Sequence, residues 1–172
     1  EFPITVGQFD RMQLKRIKSY IKDWYDEPFA DTSCYPTYMI SKMAKENYVP
    51  VIRRETQNLL KLLLAMNRPE CILEVGTAVG FSALLMEYFN PAPCKITTIE
   101  NYAKRIPIAR ENFMRAGKEN VIQLLEGDAK LVMQELSGQY DFVFMDAAKA
   151  QYIRFLPDVL RLLRPGGILV SD

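Results

Sequence analysis

Histidine is absent from all 172 residues of this chain. That removes Ser-His-Asp triads, Cys-His nucleophiles, histidine-ligated zinc and imidazole as a general base. Cysteine is scarce. Cys34, Cys71 and Cys94 are odd in number and lack the short paired spacings of zinc sites or redox motifs, so reduced structural thiols are expected. Neither sign of charge dominates: 22 Lys and Arg face 21 Asp and Glu, a formal charge of +1, so the strong basic field of a dedicated nucleic-acid binder is missing. No apolar run approaches the roughly 20 residues of a membrane-spanning helix, and Glu1 to Asp10 do not form a signal peptide. The expectation is a cytoplasmic protein without membrane contact, whose chemistry rests on carboxylates, lysine, hydroxyls or a bound cofactor.

Apolar material is plentiful, at 49% of residues, enough for a substantial core. Residues 1–48 carry helical spacing (Leu14, Ile17, Tyr20, Ile21, Trp24), broken at Asp26-Glu27-Pro28 and Tyr35-Pro36, and read as an N-terminal helical cap on a domain spanning 49–172. A helix is expected from about Pro50 to Met66, burying Leu59, Leu60, Leu62, Leu63 and Leu64 against a sheet. Strands are expected at Cys71 to Val75, Ile96 to Ile99, Val121 to Leu125, Phe142 to Met145 and Ile168 to Val170. Helices fall between them at Ser82 to Phe89, about Tyr102 to Ala116, and Lys130 to Leu136. A last one carries Leu160, Leu162 and Leu163, with Pro157 near its start or at a kink. Such alternation implies an α/β, doubly wound, Rossmann-like parallel sheet with ligands at the carboxyl ends of its strands. The sequence stops on an apparent strand end at Ser171-Asp172, and further C-terminal strands are expected to follow.

Gly76 and Gly80 lie between the first strand and its helix, where small residues let backbone approach a ligand. Alone, the pair is a weak signal, because two glycines four apart can also form a simple tight turn. Glu74 precedes it, however, and Glu100 closes the second strand, where a carboxylate can accept from both hydroxyls of a ribose. Thr77 and Ala78 follow Gly76, which departs from the Gly-x-Gly-x-x-Gly of dinucleotide sites. Adenosylmethionine, with a sulfonium and no phosphate, suits this acid-bearing turn better. Asp128, Asp146 and Asp172 each lie at or after a strand end. One such Asp is ordinarily a turn former or helix cap, but three on one rim suggest a hard cation such as Mg²⁺.

The chain resembles the metal-dependent O-methyltransferases of the catechol and caffeoyl-coenzyme A type from about Ile40 to Asp172. The likeness is carried by Tyr48-Val49-Pro50-Val51-Ile52, Leu73 to Ser82, Glu126-Gly127-Asp128-Ala129, Met145 to Lys149 and Ser171-Asp172. It is more similar still to bacterial relatives that methylate 5-hydroxyuridine in tRNA, through Ala44 to Pro50 and Asp146-Ala147-Ala148-Lys149. The resemblance implies a class I methyltransferase fold in which Ile52 lines the cofactor pocket and Gly76 and Ser82 hold the amino-acid end of S-adenosylmethionine. It also implies that Glu100 takes the ribose, and Asp128 and Ala129 the adenine. Glu74 and Asp146 join this cofactor set. Asp146 and Asp172 become two ligands of a divalent metal, with the third at the position after Asp172. Lys149 sits near the acceptor oxygen as base or electrostatic partner, beside Asp146 in the catalytic set. The implied activity is O-methylation of the 5-hydroxyl of a tRNA uridine, a tRNA-processing step. The alternatives are a small catechol or caffeoyl-CoA-like acceptor, and a non-catalytic cofactor-binding module. Lys42, Lys45, Arg53, Arg54, Lys104, Arg105, Arg110, Arg115 and Lys118 are the candidate RNA contacts, though solvated helix faces explain most such charges. A homodimer formed through the N-terminal helices is also implied.

Overall fold

A computed structural model describes residues 52–172, so the helical cap expected over 1–48 and the Tyr48 to Val51 segment lie outside the described residues. Five strands form one parallel sheet: β1 (Cys71–Val75), β2 (Lys95–Glu100), β3 (Ile122–Glu126), β4 (Tyr140–Met145) and β5 (Leu163–Ser171), ordered β3-β2-β1-β4-β5. The helices are α1 (Arg54–Asn67), α2 (Phe81–Phe89), α3 (Ile106–Arg115), α4 (Ala129–Glu135) and α5 (Tyr152–Leu162), with a 3-10 turn at Lys149–Gln151. The expected doubly wound α/β architecture is borne out.

Alternating residues of the strands divide between two cores. Ile72, Ile96, Ile122, Phe142 and Phe144 pack with α1, α2 and α3. Leu73, Val75, Ile99, Val143 and Met145 pack with α4 and α5. Both faces are therefore covered, which is why the strands read as continuous apolar runs rather than as alternating ones.

Three details differ from expectation. On α1 only Leu60 and Leu64 are fully buried and Leu63 partly so, whereas Leu59 and Leu62 are 46% and 57% exposed, because residues four apart share a face and those one or two apart do not. Helix α3 begins at Ile106 rather than near Tyr102. Pro107 belongs in its first turn, where the missing N–H costs nothing, and Glu100 Oε1 accepts from the N–H groups of Asn101 and Tyr102 in the preceding turn. Helix α5 holds Pro157 in its interior, the second of the two placements expected for it. Leu163 is extended and opens β5 instead of closing α5. The β4–β5 register then jumps from Tyr140↔Leu163 to Phe142↔Ile168, a bulge containing Gly166 at φ 81°.

Candidate active site

Hydrogen bonds continuing past the strand ends tie the carboxyl rim of the sheet together. Gly76 and Thr77 N–H both donate to Ile99 O, Gly127 N–H to Glu100 O, Asp146 N–H to Val75 O, and Asp172 N–H to Met145 O. The chain reverses its winding between β1 and β4, so the crevice where ligands bind such sheets opens beside Gly76 and Asp146.

The turn after β1 is held tightly. Gly76 adopts φ 105°, and a Cβ there would lie 2.2 Å from the Asp146 carbonyl oxygen. Gly80 adopts φ 87° and leaves room for the Phe113 ring, 2.5 Å from the place of its missing Cβ. The space these glycines provide is thus filled by protein, a different reason for them than ligand approach. Between them Ala78 takes φ 48°, a left-handed conformation unfavourable for a residue with a Cβ, and its N–H donates 2.8 Å to Glu100 Oε2. Glu100 therefore accepts three backbone N–H bonds, from Ala78, Asn101 and Tyr102. A carboxylate has about four acceptor positions, so one is left for a ribose hydroxyl rather than room for both. Gly76→Ala is expected to destabilise the chain by roughly 2 kcal/mol or more, through the positive φ and a clash with unyielding backbone. Chemical denaturation measures it, and an unchanged midpoint would refute this packing.

Glu74 is fully buried. Its carboxyl accepts a short bond from Thr98 Oγ1, which in turn lies 2.6 Å from Thr77 Oγ1, while Glu74 Oε1 has no partner. Burial pushes its pKa up to about 8, opposed by the neighbouring hydroxyls of Ser82 and Thr98 and assisted by the charges of Asp146 and Glu100. Ser82 is buried in the first turn of α2. Ile52 is buried in the α1–α3 core.

Asp146 and Asp172 follow the paired ends Met145 and Ser171. Burial and then the Asp172 charge raise the proton affinity of Asp146, and the Lys149 charge lowers it. Two neighbouring carboxylates that repel one another fit an oxygen-seeking divalent cation in kind. No group of three or more His, Cys, Asp or Glu side chains able to hold a metal occurs among the described residues. Thr56 Oγ1 donates 2.9 Å to Asp172 Oδ1, and Tyr152 OH bridges the carbonyls of Met145 and Asp172 at 2.9 and 2.8 Å. Sequence reasoning missed both, although Thr56 lies on the stripe of Leu60 and Leu64, one turn nearer the rim. Lys149 is exposed at the start of the 3-10 turn. Asp128 is the N-cap of α4, its Oδ1 accepting from Lys130 and Leu131 N–H, so its side chain performs the ordinary capping role. Ala129 opens that helix, half-buried beside it.

Several basic side chains weighed as RNA contacts are paired within the fold: Arg110 with Glu126 at 2.6 Å, Arg115 with Glu111, and Lys118 with Glu87 at 2.7 Å. Arg105 stacks over the Tyr102 ring, and Lys42 and Lys45 lie outside the described residues. Cys71 and Cys94 are free thiols, as expected, and no described helix is long and apolar enough to cross a membrane.

Residues 30–172 match the family model described as O-methyltransferase. A catechol O-methyltransferase of Niastella koreensis is 33% identical over 117 residues, covering 66% of this chain and 53% of that protein. A caffeoyl-CoA O-methyltransferase of Stellaria longipes is 29% identical over 120 residues, covering 66% and 50%. Among solved structures, an SAH-bound methyltransferase of Podospora anserina superposes with a TM-score of 0.71 at 25% identity, covering 98% of this chain and 72% of that one. The chain spans about half the length of these curated relatives.

Proposed function

The chain belongs to the O-methyltransferase family, and on that premise we propose that it moves the methyl group of S-adenosylmethionine to one of two adjacent oxygens on a small hydroxylated aromatic acceptor. The observation that carries this reading is the contact between its two halves: the Gly76 turn on the cofactor side packs directly on the backbone of Asp146 on the acid side. Such a contact would bring donor and acceptor to one place, which is most of what methyl transfer needs.

Glu100 fixes the turn and keeps one acceptor position for the ribose, while Ser82 and Glu74 face the amino-acid end. Asp146 and Asp172 would hold a divalent cation such as Mg²⁺. When bound, the cofactor supplies an electrophilic methyl, and the cation makes the acceptor hydroxyl more acidic. Lys149, whose charge already reaches Asp146, steadies the acceptor oxygen as its proton leaves. On this reading the methyltransferase domain is the unit begun at residue 49, and the cap and chain pairing expected of residues 1–48 lie outside the described residues.

Relatives with catechol and caffeoyl-CoA names support the small acceptor, as does the pairing of Arg110, Arg115 and Lys118 within the fold. The competing acceptor is the 5-hydroxyl of a tRNA uridine, whose neighbouring carbonyl supplies the second oxygen. Incubation with methyl-labelled cofactor, Mg²⁺ and either catechol, caffeoyl-CoA or tRNA lacking the modification separates them. Label is expected on the small acceptors and is lost with a chelator. Label on tRNA alone overturns the small-acceptor reading, and cofactor binding without any transfer points to a non-catalytic module. In the same assay Lys149→Ala should lower kcat about 100-fold with little change in KM for the cofactor; an unchanged kcat removes Lys149 from the mechanism.

A further inference from the structure

Thr98 lies in the middle of the sheet, fully buried and paired in register with Glu74 of the neighbouring strand. Its hydroxyl has two partners. It donates to Glu74 Oε2, and that donation leaves its oxygen to accept from Thr77 Oγ1. All three side chains are removed from water, and the sequence Thr77 to Thr98 to Glu74 uses each hydroxyl proton once. What remains at the end of the series is Glu74 Oε1, a buried acceptor without a donor. The ionisable groups that bear on this carboxyl are Asp146 just past β4 and Glu100 at the end of β2, both acids, and the nearby hydroxyls of Ser82 and Thr98 are neutral. An orphaned acceptor among acids is complementary to a cationic N–H donor, because leaving it unmet costs on the order of 1–3 kcal/mol.

We propose that Thr98 is a positioning residue for the cofactor: by holding Glu74 Oε2 on one side and Thr77 in the glycine turn on the other, it keeps Glu74 Oε1 aimed at the ammonium of the amino-acid end. The hydroxyl does the work, not the bulk of the side chain. Valine at this position would keep the shape, free Oε2 to turn, and leave Thr77 Oγ1 without its partner. Serine would preserve both bonds. The proposal rests on the reading that the rim binds S-adenosylmethionine.

Calorimetric titration with two probes tests it: S-adenosylhomocysteine, which carries the amino-acid end, and 5′-deoxy-5′-methylthioadenosine, which lacks it. Thr98→Val is expected to weaken S-adenosylhomocysteine by about tenfold or more while leaving the truncated nucleoside within about twofold of wild type. Thr98→Ser should restore the difference. Equal weakening of both probes would mean that Thr98 merely supports the fold, and no weakening of either would mean that it positions nothing; both overturn the proposal. Failure of the wild-type chain to bind either probe overturns the cofactor reading itself, and the proposal with it.

Discussion

Asp146→Ala should abolish methyl transfer, lowering kcat/KM on the order of 1,000-fold or beyond the detection limit. Two losses combine in this variant: one of the two carboxylates suited to a cation, and a negative charge beside the cofactor turn. Each tenfold is about 1.4 kcal/mol, and metal-assisted polarisation of an oxygen is worth several kcal/mol. The fold should survive. The atom that fills the space beside Gly76 is the Asp146 carbonyl, and the Asp146 N–H holds Val75 O at 2.9 Å. Both are backbone groups that alanine retains. The side chain itself is poorly placed for stability, since burial and Asp172 raise its proton affinity. An acid more easily protonated folded than unfolded weakens the fold as pH rises past its unfolded pKa, so the variant's melting temperature at neutral pH should equal or exceed that of wild type. Retained turnover would remove Asp146 from the chemistry, and a collapsed melting temperature would mean that its role is structural.

Glu74→Gln should separate stability from function in the opposite sense. The Glu74 carboxyl has a pKa raised from 4.5 to about 8, burial being the largest cause. Between those values the folded chain binds more protons than the unfolded one, so this group's contribution to stability falls as pH rises through that window. At pH 7 the penalty is on the order of 3 kcal/mol, from about 1.4 kcal/mol per unit. Glutamine carries no such penalty. The unliganded variant should melt several degrees higher than wild type at pH 7, with the gap shrinking toward pH 5. Its affinity for S-adenosylhomocysteine should drop by about tenfold or more, because an amide N–H would face the ammonium in place of an acceptor. Thermal melts across pH with a titration at one pH measure both. A variant that is less stable at every pH would show that Glu74 is an ordinary structural partner of Thr98.

The sheet was legible in the sequence because its strands are buried on both faces, and short apolar runs such as Phe142 to Met145 leave little else to be. Boundaries were less so. Pro157 left the start of α5 open between two placements, and it lies inside the helix, whereas Pro107 sits in the opening turn of α3. Leu163 has every helical credential and is extended because β4 offers it a partner in Tyr140. In the site, charged residues at strand ends announced themselves: Glu100, Asp146 and Asp172 interrupt apolar runs, although Glu100 also accepts three backbone N–H bonds and Asp172 one from Thr56. Asp128 has a structural role, as a helix cap. The neutral hydroxyls gave no such signal: threonine is common in strands for its β-branching, so Thr98 looked like strand filler. Ala78 hid its left-handed conformation behind the most ordinary of side chains. Gly76 was marked correctly as a place that needs glycine, but what fills the space is the Asp146 carbonyl, a contact between residues seventy positions apart that no local pattern encodes.

Methyl transfer at this rim requires that it bind an adenosylmethionine-type cofactor and not a dinucleotide. Titrating the chain with S-adenosylhomocysteine in the calorimeter, alone and in the presence of excess NAD, addresses it directly. One site per chain is expected, with a dissociation constant in the micromolar range, about −8 kcal/mol, unaffected by NAD and lost in Glu100→Ala. No heat with S-adenosylhomocysteine, or its displacement by NAD, would contradict the account.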